Sequence, residues 1–114
     1  MIIKINEFTN EAASKAKGIL LKDLIEKHLN EGDLQVDFTG ITRFASPFFN
    51  NSFSSLALIF GFEKILSINI IGIDKTGLDV YNTSLENAKM ISESSEYASE
   101  INTIVNNVPK KEGE

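Results

Sequence analysis

The apolar residues of this chain change period several times along its length, and that change limits the folds open to it. Ile2, Ile3 and Ile5 fall in a β-branched opening segment, Met1 to Phe8, which predicts a first strand. Polar Thr9-Asn10-Glu11 predicts the start of a helix, and from Glu11 to Asn30 the residues Ala13, Ala16, Leu20 and Leu24 recur at helical spacing. Leu21, Ile25 and His28 widen that stripe, and Gly32 ends it. Gly18 inside the helix costs about 1 kcal/mol relative to Ala, and a close packing contact is one reading of it that the sequence alone does not show. Leu34, Val36 and Phe38 then alternate with Gln35 and Asp37 as a second strand, and Thr39-Gly40 opens a loop running to Ala45. Ser46-Pro47 reads as a second helix start, with a serine cap and a proline in the first turn, and Phe49, Phe53, Leu56 and Phe60 mark its buried face up to Gly61. The nearly continuous apolar run Ile65 to Ile73 predicts a central strand covered on both faces, with Ile70 buried. After the turn Asp74-Lys75-Thr76-Gly77, Leu78, Tyr81, Leu85 and Ala88 trace a third helix to about Ile91. Strands alternating with helices imply an α/β fold with a small, mainly parallel sheet and right-handed crossovers.

Composition narrows the classes further. A chain of 114 residues, 42% hydrophobic and with eight Phe, suits one domain with a real core. We place that domain at 1–92 and a polar C-terminal extension at 93–114. In the extension Tyr97, Ile101 and Val105 allow a weak final helix, and the charged stretch after Pro109 reads as a solvated, dispensable tail. The chain has no Cys, which removes disulfides, thiolate ligands and cysteine nucleophiles. The opening residues do not resemble a leader, and no stretch approaches the ~20 apolar residues of a membrane span, so a cytoplasmic protein without a membrane partner is expected. A net charge of −5 with scattered basic residues argues against nucleic acid as a partner.

Catalytic chemistry finds little to stand on. His28 is the only histidine, and its place on the first helix suits a structural residue or a helix-end cation better than a general base. Asp37, at a strand end, is expected to brace the Thr39 to Ala45 loop through hydrogen bonds. Gly61, Gly72 and Gly77 fit no phosphate-binding pattern. No catalytic residues, metal ligands or cofactor are assigned, and the protein is expected not to be an enzyme.

The distinctive segment is Val36-Asp37-Phe38-Thr39-Gly40-Ile41-Thr42-Arg43-Phe44-Ala45-Ser46-Pro47-Phe48-Phe49-Asn50-Asn51-Ser52-Phe53. It resembles the STAS-like domain family, related to the STAS domains of anti-sigma factor antagonists, in its strand, Asp-aromatic-x-Gly-hydrophobic run, short link and Ser/Pro helix opening followed by Asn. The resemblance covers roughly residues 1–92. It implies a regulatory role in which the loop and following helix meet a protein, an anti-sigma-type ATPase in the antagonist relatives. It also makes Ser46 the nearest counterpart of the serine whose phosphorylation breaks that complex. The relatives carry Asp-Ser-Ser-Gly where this chain reads Ala45-Ser46-Pro47-Phe48, which aligns Pro47 with the phosphorylated serine. Ser46 is therefore read in two ways, as a helix cap or as a phosphorylation site. The candidate partner surface comprises Thr39, Thr42, Arg43, Phe44, Ser46, Phe48, Asn50 and Asn51, in which Phe44 and Phe48 form an apolar patch with a polar rim. The alternative is a small-molecule sensor holding a ligand near the N-terminus of the second helix. The oligomeric state is left open.

Overall fold

A computed structural model describes the backbone of residues 1–105 and side chains as far as residue 93, so the expected tail after Pro109 lies outside the described residues. Three parallel strands form the sheet in the order β1 (Ile2–Lys4), β2 (Gln35–Asp37) and β3 (Asn69–Ile71). The alternation in the second strand holds, since Leu34, Val36 and Phe38 are all buried. Val36 stands in register between Ile3 and Ile70, and these three residues form the face turned to the helices. The opposite face carries Ile2, Gln35 and Asn69, then Lys4, Asp37 and Ile71, all exposed or half-buried.

The central strand is therefore β2, not the apolar run Ile65 to Ile73. That run splits at Ser67. Its first part closes a short helix, α4 (Phe62–Leu66), where the Ser67 hydroxyl donates to the Lys64 carbonyl at 2.6 Å. Ile65 and Ile68, three apart, reach the core from this turn. Only Asn69–Ile71 pairs as strand, at an edge, so Ile70 is half-buried rather than enclosed.

The first helix starts later than Thr9-Asn10-Glu11 predicts. Ala12 is held extended in a bridge with Phe44, and α1 (Lys15–His28) begins where the Ser14 hydroxyl accepts the Lys17 amide at 3.1 Å. Its buried row is Gly18, Leu21 and Ile25, with Leu20 and Ala16 exposed, so the core face is turned from the expected stripe. Gly18 supplies the reason. A Cβ there would stand 2.5 Å from the Phe48 carbonyl oxygen, so the two backbones meet at that point. His28, the last helical residue, pairs with Glu31 at 2.7 Å.

The second helical run starts as α2 (Ser46–Phe49), widens into a π-helical turn at Asn50–Ser54 and continues as α3 (Ser55–Phe60) to Gly61, whose φ of 102° breaks it. Phe48, Phe49, Phe53 and Leu56 are fully buried, whereas Phe60, the last residue before the break, is left 42% exposed and does not join the core face. The Ser52 hydroxyl, inside the widened stretch, donates to the Phe48 carbonyl of α2 at 2.7 Å and gives that buried acceptor a partner.

A fifth helix, α5 (Lys75–Val105), opens where the Asp74 carboxylate accepts the Gly77 amide at 2.8 Å. It runs through the positions expected for a separate weak helix. Tyr81, Ser84, Leu85 and Ala88 form its buried row. At its contact with the π turn, the Ser54 hydroxyl meets Ser84 at 2.6 Å and Ser84 in turn donates to the Asn50 side-chain oxygen at 2.6 Å. Among the described residues no helix is long and apolar enough to cross a membrane.

The Gly18 contact gives a direct test. Ala is the better helix former by about 1 kcal/mol, yet Gly18→Ala should lower stability by roughly 1 to 3 kcal/mol, because the intruding atom meets backbone that cannot step aside. Urea unfolding of both proteins measures this, and a gain in stability would contradict the close approach.

Candidate functional site

The segment that follows β2 is tied down at nearly every turn. Phe38 donates its amide to the Ile71 carbonyl at 2.8 Å, and Ile41 donates back to Phe38 at 2.9 Å. The Asp37 carboxylate accepts both the Thr39 amide at 2.9 Å and the Thr39 hydroxyl at 2.6 Å, which is the bracing role expected of it. These two bonds, with lesser help from Lys4, hold the Asp37 carboxyl below its ordinary pKa. Gly72, just past β3 with φ of 68°, makes room for this turn. A Cβ there would run into the Thr39 hydroxyl and come within 2.7 Å of the Asp37 carboxylate.

Further along, Ala12 donates to the Arg43 carbonyl at 2.9 Å and Ala45 donates to the Ala12 carbonyl at 3.0 Å, so residues 43–45 are clamped as a short parallel rung. Phe44 points inward from this rung. Its ring lies 6.2 Å from Phe38 and 6.3 Å from Phe49, and it fills the space that a Cβ on Gly77 would occupy. Arg43 stays on the surface, 3.8 Å from Glu11, an exposed pairing of little energetic weight.

The candidate surface residues consequently divide. Thr39, Thr42, Arg43, Ser46, Pro47 and Asn50 are exposed along the segment that runs from the end of β2 into the second helical run. Asn51 is half-buried and donates to the Pro47 carbonyl at 2.8 Å, and the Asn50 oxygen is engaged by Ser84 at 2.6 Å. Phe44 is half-buried and Phe48 is fully buried, so the expected apolar patch with a polar rim does not exist. Both rings are drawn into the aromatic core around Phe38, and what remains at the surface is polar.

Ser46 also differs from the capping expectation. Clamped by its bond to Ala12, Ala45 is extended at φ −148° and ψ 152° and takes the cap position itself. Ser46 becomes the first helical residue, and no side chain caps this helix. The residues that build the edge but escaped sequence reading are Ala12, Gly72 and Gly77. The two glycines carry a faint signal, one directly after a strand and one in the first turn of a helix, but the Ala12 bridge joins segments 32 residues apart and leaves no local pattern. A cleft of about 450 Å³ lies at the opposite end of the strands, lined by Gly32, Asp33, Gln35, Lys64 and Asn69 among others, and so away from the start of α2 where a small ligand was expected. Among the described residues, no group of three or more His, Cys, Asp or Glu is placed to hold a metal ion.

The Asp37 bonds make stability depend on acid. Because its pKa is lower folded than unfolded, its contribution is complete above the ordinary carboxylate value near 4 and is lost as pH falls through the lowered value. A carboxyl titration followed by NMR should place Asp37 below that ordinary value, and Thr39→Val should move it upward. An ordinary value in both proteins would contradict the brace.

Comparison with known proteins agrees with this architecture. No curated protein and no solved structure matches the chain. Residues 17–78 match the family described as a STAS-like domain of unknown function (DUF4325). That stretch takes in α1 from Lys17 onward, the central strand, the clamped edge at 43–45, the helical run after it and β3, more than half of the chain. The chain belongs to this STAS-like domain family.

Proposed function

We propose that this domain is a non-enzymatic regulatory module of the cytoplasm that binds another protein, of the anti-sigma ATPase type, through the edge formed by Thr39, Thr42, Arg43, Ser46 and Pro47. The observation that carries the reading is the clamped backbone of residues 43–45, which presents Arg43 and Ser46 outward on a support that is already ordered. A preformed surface loses little conformational entropy on binding, and a polar surface suits transient signalling contacts. The Asp37 carboxylate, the acid nearest the edge on β2, is engaged structurally by Thr39, which favours recognition over chemistry.

Ser46 is the regulatory position in this reading. Its hydroxyl is exposed and caps nothing, so it is available for phosphorylation, and a phosphate at the first helical residue suits the positive end of the helix dipole. The same charge set against a partner's surface would be repelled or left unpaired.

The experiment captures the partner from the native cell with the wild-type chain and compares variants for binding and for melting temperature. Ser46→Ala should change stability by less than about 0.5 kcal/mol and leave binding intact. Ser46→Asp should keep its stability and lose most of its binding, and Arg43→Glu should lose binding also. Failure to capture any protein, or wild-type binding by both charged variants, would contradict the proposed edge. A stability loss of about 1 kcal/mol in Ser46→Ala would restore the cap instead.

A further inference from the structure

Helix α5 changes its apolar face partway along, and the change identifies a second surface independent of the Ser46 edge. Through its first half the core-facing row is Tyr81, Leu85 and Ala88, while the row on the opposite side is Asp79, Thr83 and Glu86, all exposed. After Ala88 the two rows exchange character. The positions that continue the buried row at alternating steps of four and three are Ser92, Ser95, Ser99 and Asn102. The positions that continue the exposed row are Met90, Ser94, Tyr97, Ile101 and Ile104, flanked by Ile91, Ala98 and Val105. A helix packed only on its own domain would keep one apolar face. Here the second row falls about half a turn around the helix from the first.

The near end of that face is already visible at the surface. Met90 is 63% exposed, Ile91 61% and Leu58 of α3 51%, and the three line an open groove of about 500 Å³ between α3 and α5. The helix itself is long enough to matter. Its 31 residues span about 46 Å, against a molecule measuring 53 × 28 × 22 Å.

We propose that this face is covered by a second copy of the chain, in a parallel two-helix coiled coil formed by residues 90–105. Met90, Tyr97 and Ile104 recur every seven residues, with Ser94 and Ile101 between them, which is the heptad seam such a pair requires. A self-complementary seam of this kind is satisfied by its own twofold mate. The acidic residues fix the orientation. Glu93 and Glu100 share one flank of the seam and Ile91, Ala98 and Val105 the other. Antiparallel pairing would set Glu93 against Glu100 of the other copy, whereas parallel pairing sets each glutamate against the apolar flank and avoids the like-charge contact. Two heptads alone are short for an isolated coiled coil, and the exposed Leu58 and Ile91 at the near end add the apolar area that the pair needs.

The test uses the full chain at concentrations from micromolar to submillimolar, with mass measured by light scattering on a sizing column. Wild type should pass from one to two chain masses across this range. Ile101→Glu should stay at one chain mass, while keeping the melting temperature that wild type shows at low concentration, and Ser99→Glu on the opposite row should dimerise as wild type does. Because the chain has no cysteine of its own, Ser94→Cys should form an oxidised dimer if the helices run parallel. A wild-type chain that stays monomeric throughout, or a dimer that survives Ile101→Glu, would overturn the proposal. A dimer sensitive to Ile101→Glu that Ser94→Cys does not cross-link would overturn the parallel arrangement.

Discussion

The packing of Phe38 against four other phenylalanines is the interaction on which the rest of the fold depends. Phe38 lies just beyond the central strand, and its ring centroid is 5.9 to 6.4 Å from those of Phe44, Phe48, Phe49 and Phe53. Tyr81 of α5 closes the cluster edge-on against Phe49 and Phe53, at 6.1 and 5.2 Å. Pairs of this geometry contribute about 0.5 to 1.5 kcal/mol each beyond their buried area. More important is what they join, because one cluster unites the sheet, the loop after it, the π-widened helix and α5. The widened turn at Asn50–Ser54 lies within this packing, and Ser52, Ser54, Ser84 and Asn50 bond there rather than leave polar atoms unpaired.

The edge proposed for partner binding follows from that packing. Drawing Phe44 and Phe48 inward pulls the backbone between them tight against Ala12, and the side chains left outside are the polar ones. Glycines allow the approach at two points, Gly72 beneath the Asp37 and Thr39 turn and Gly77 against the Phe44 ring. The same aromatic residues that sequence reasoning assigned to a sticky patch are thus the reason the edge is ordered. An ordered polar edge favours specificity over tight binding, in keeping with the transient contact proposed for it.

Much of the fold was legible in the chain, and the exceptions share a cause. The alternation of Leu34, Val36 and Phe38 identified a strand because its period is unambiguous, and Gly18 stood out as a position where a close contact could lie because glycine is costly inside a helix. Ile65 to Ile73 misled because a dense apolar run has no period, and cannot separate a buried strand from a helical turn followed by a short edge strand. Ser46 misled because the cap position was decided by the bond between Ala45 and Ala12, a contact across 33 residues with no trace in local sequence. Phe48 misled for a similar reason, since its burial depends on α1 presenting Gly18 to its carbonyl. Family membership was legible from the Val36 to Phe53 segment, whose strand, turn and helix opening are the parts least dependent on distant contacts.

The proposed binding role requires that the edge after β2 is ordered in the free chain. Amide hydrogen exchange on the free chain tests this most directly. Phe38, Ala12 and Ala45, whose amides are bonded to Ile71, Arg43 and Ala12, should exchange as slowly as the interior of α1, while the neighbouring Thr42 and Ser46 exchange freely. Rapid exchange at Ala12 and Ala45, with protection confined to the strands and helices, would show a loose loop and contradict the account.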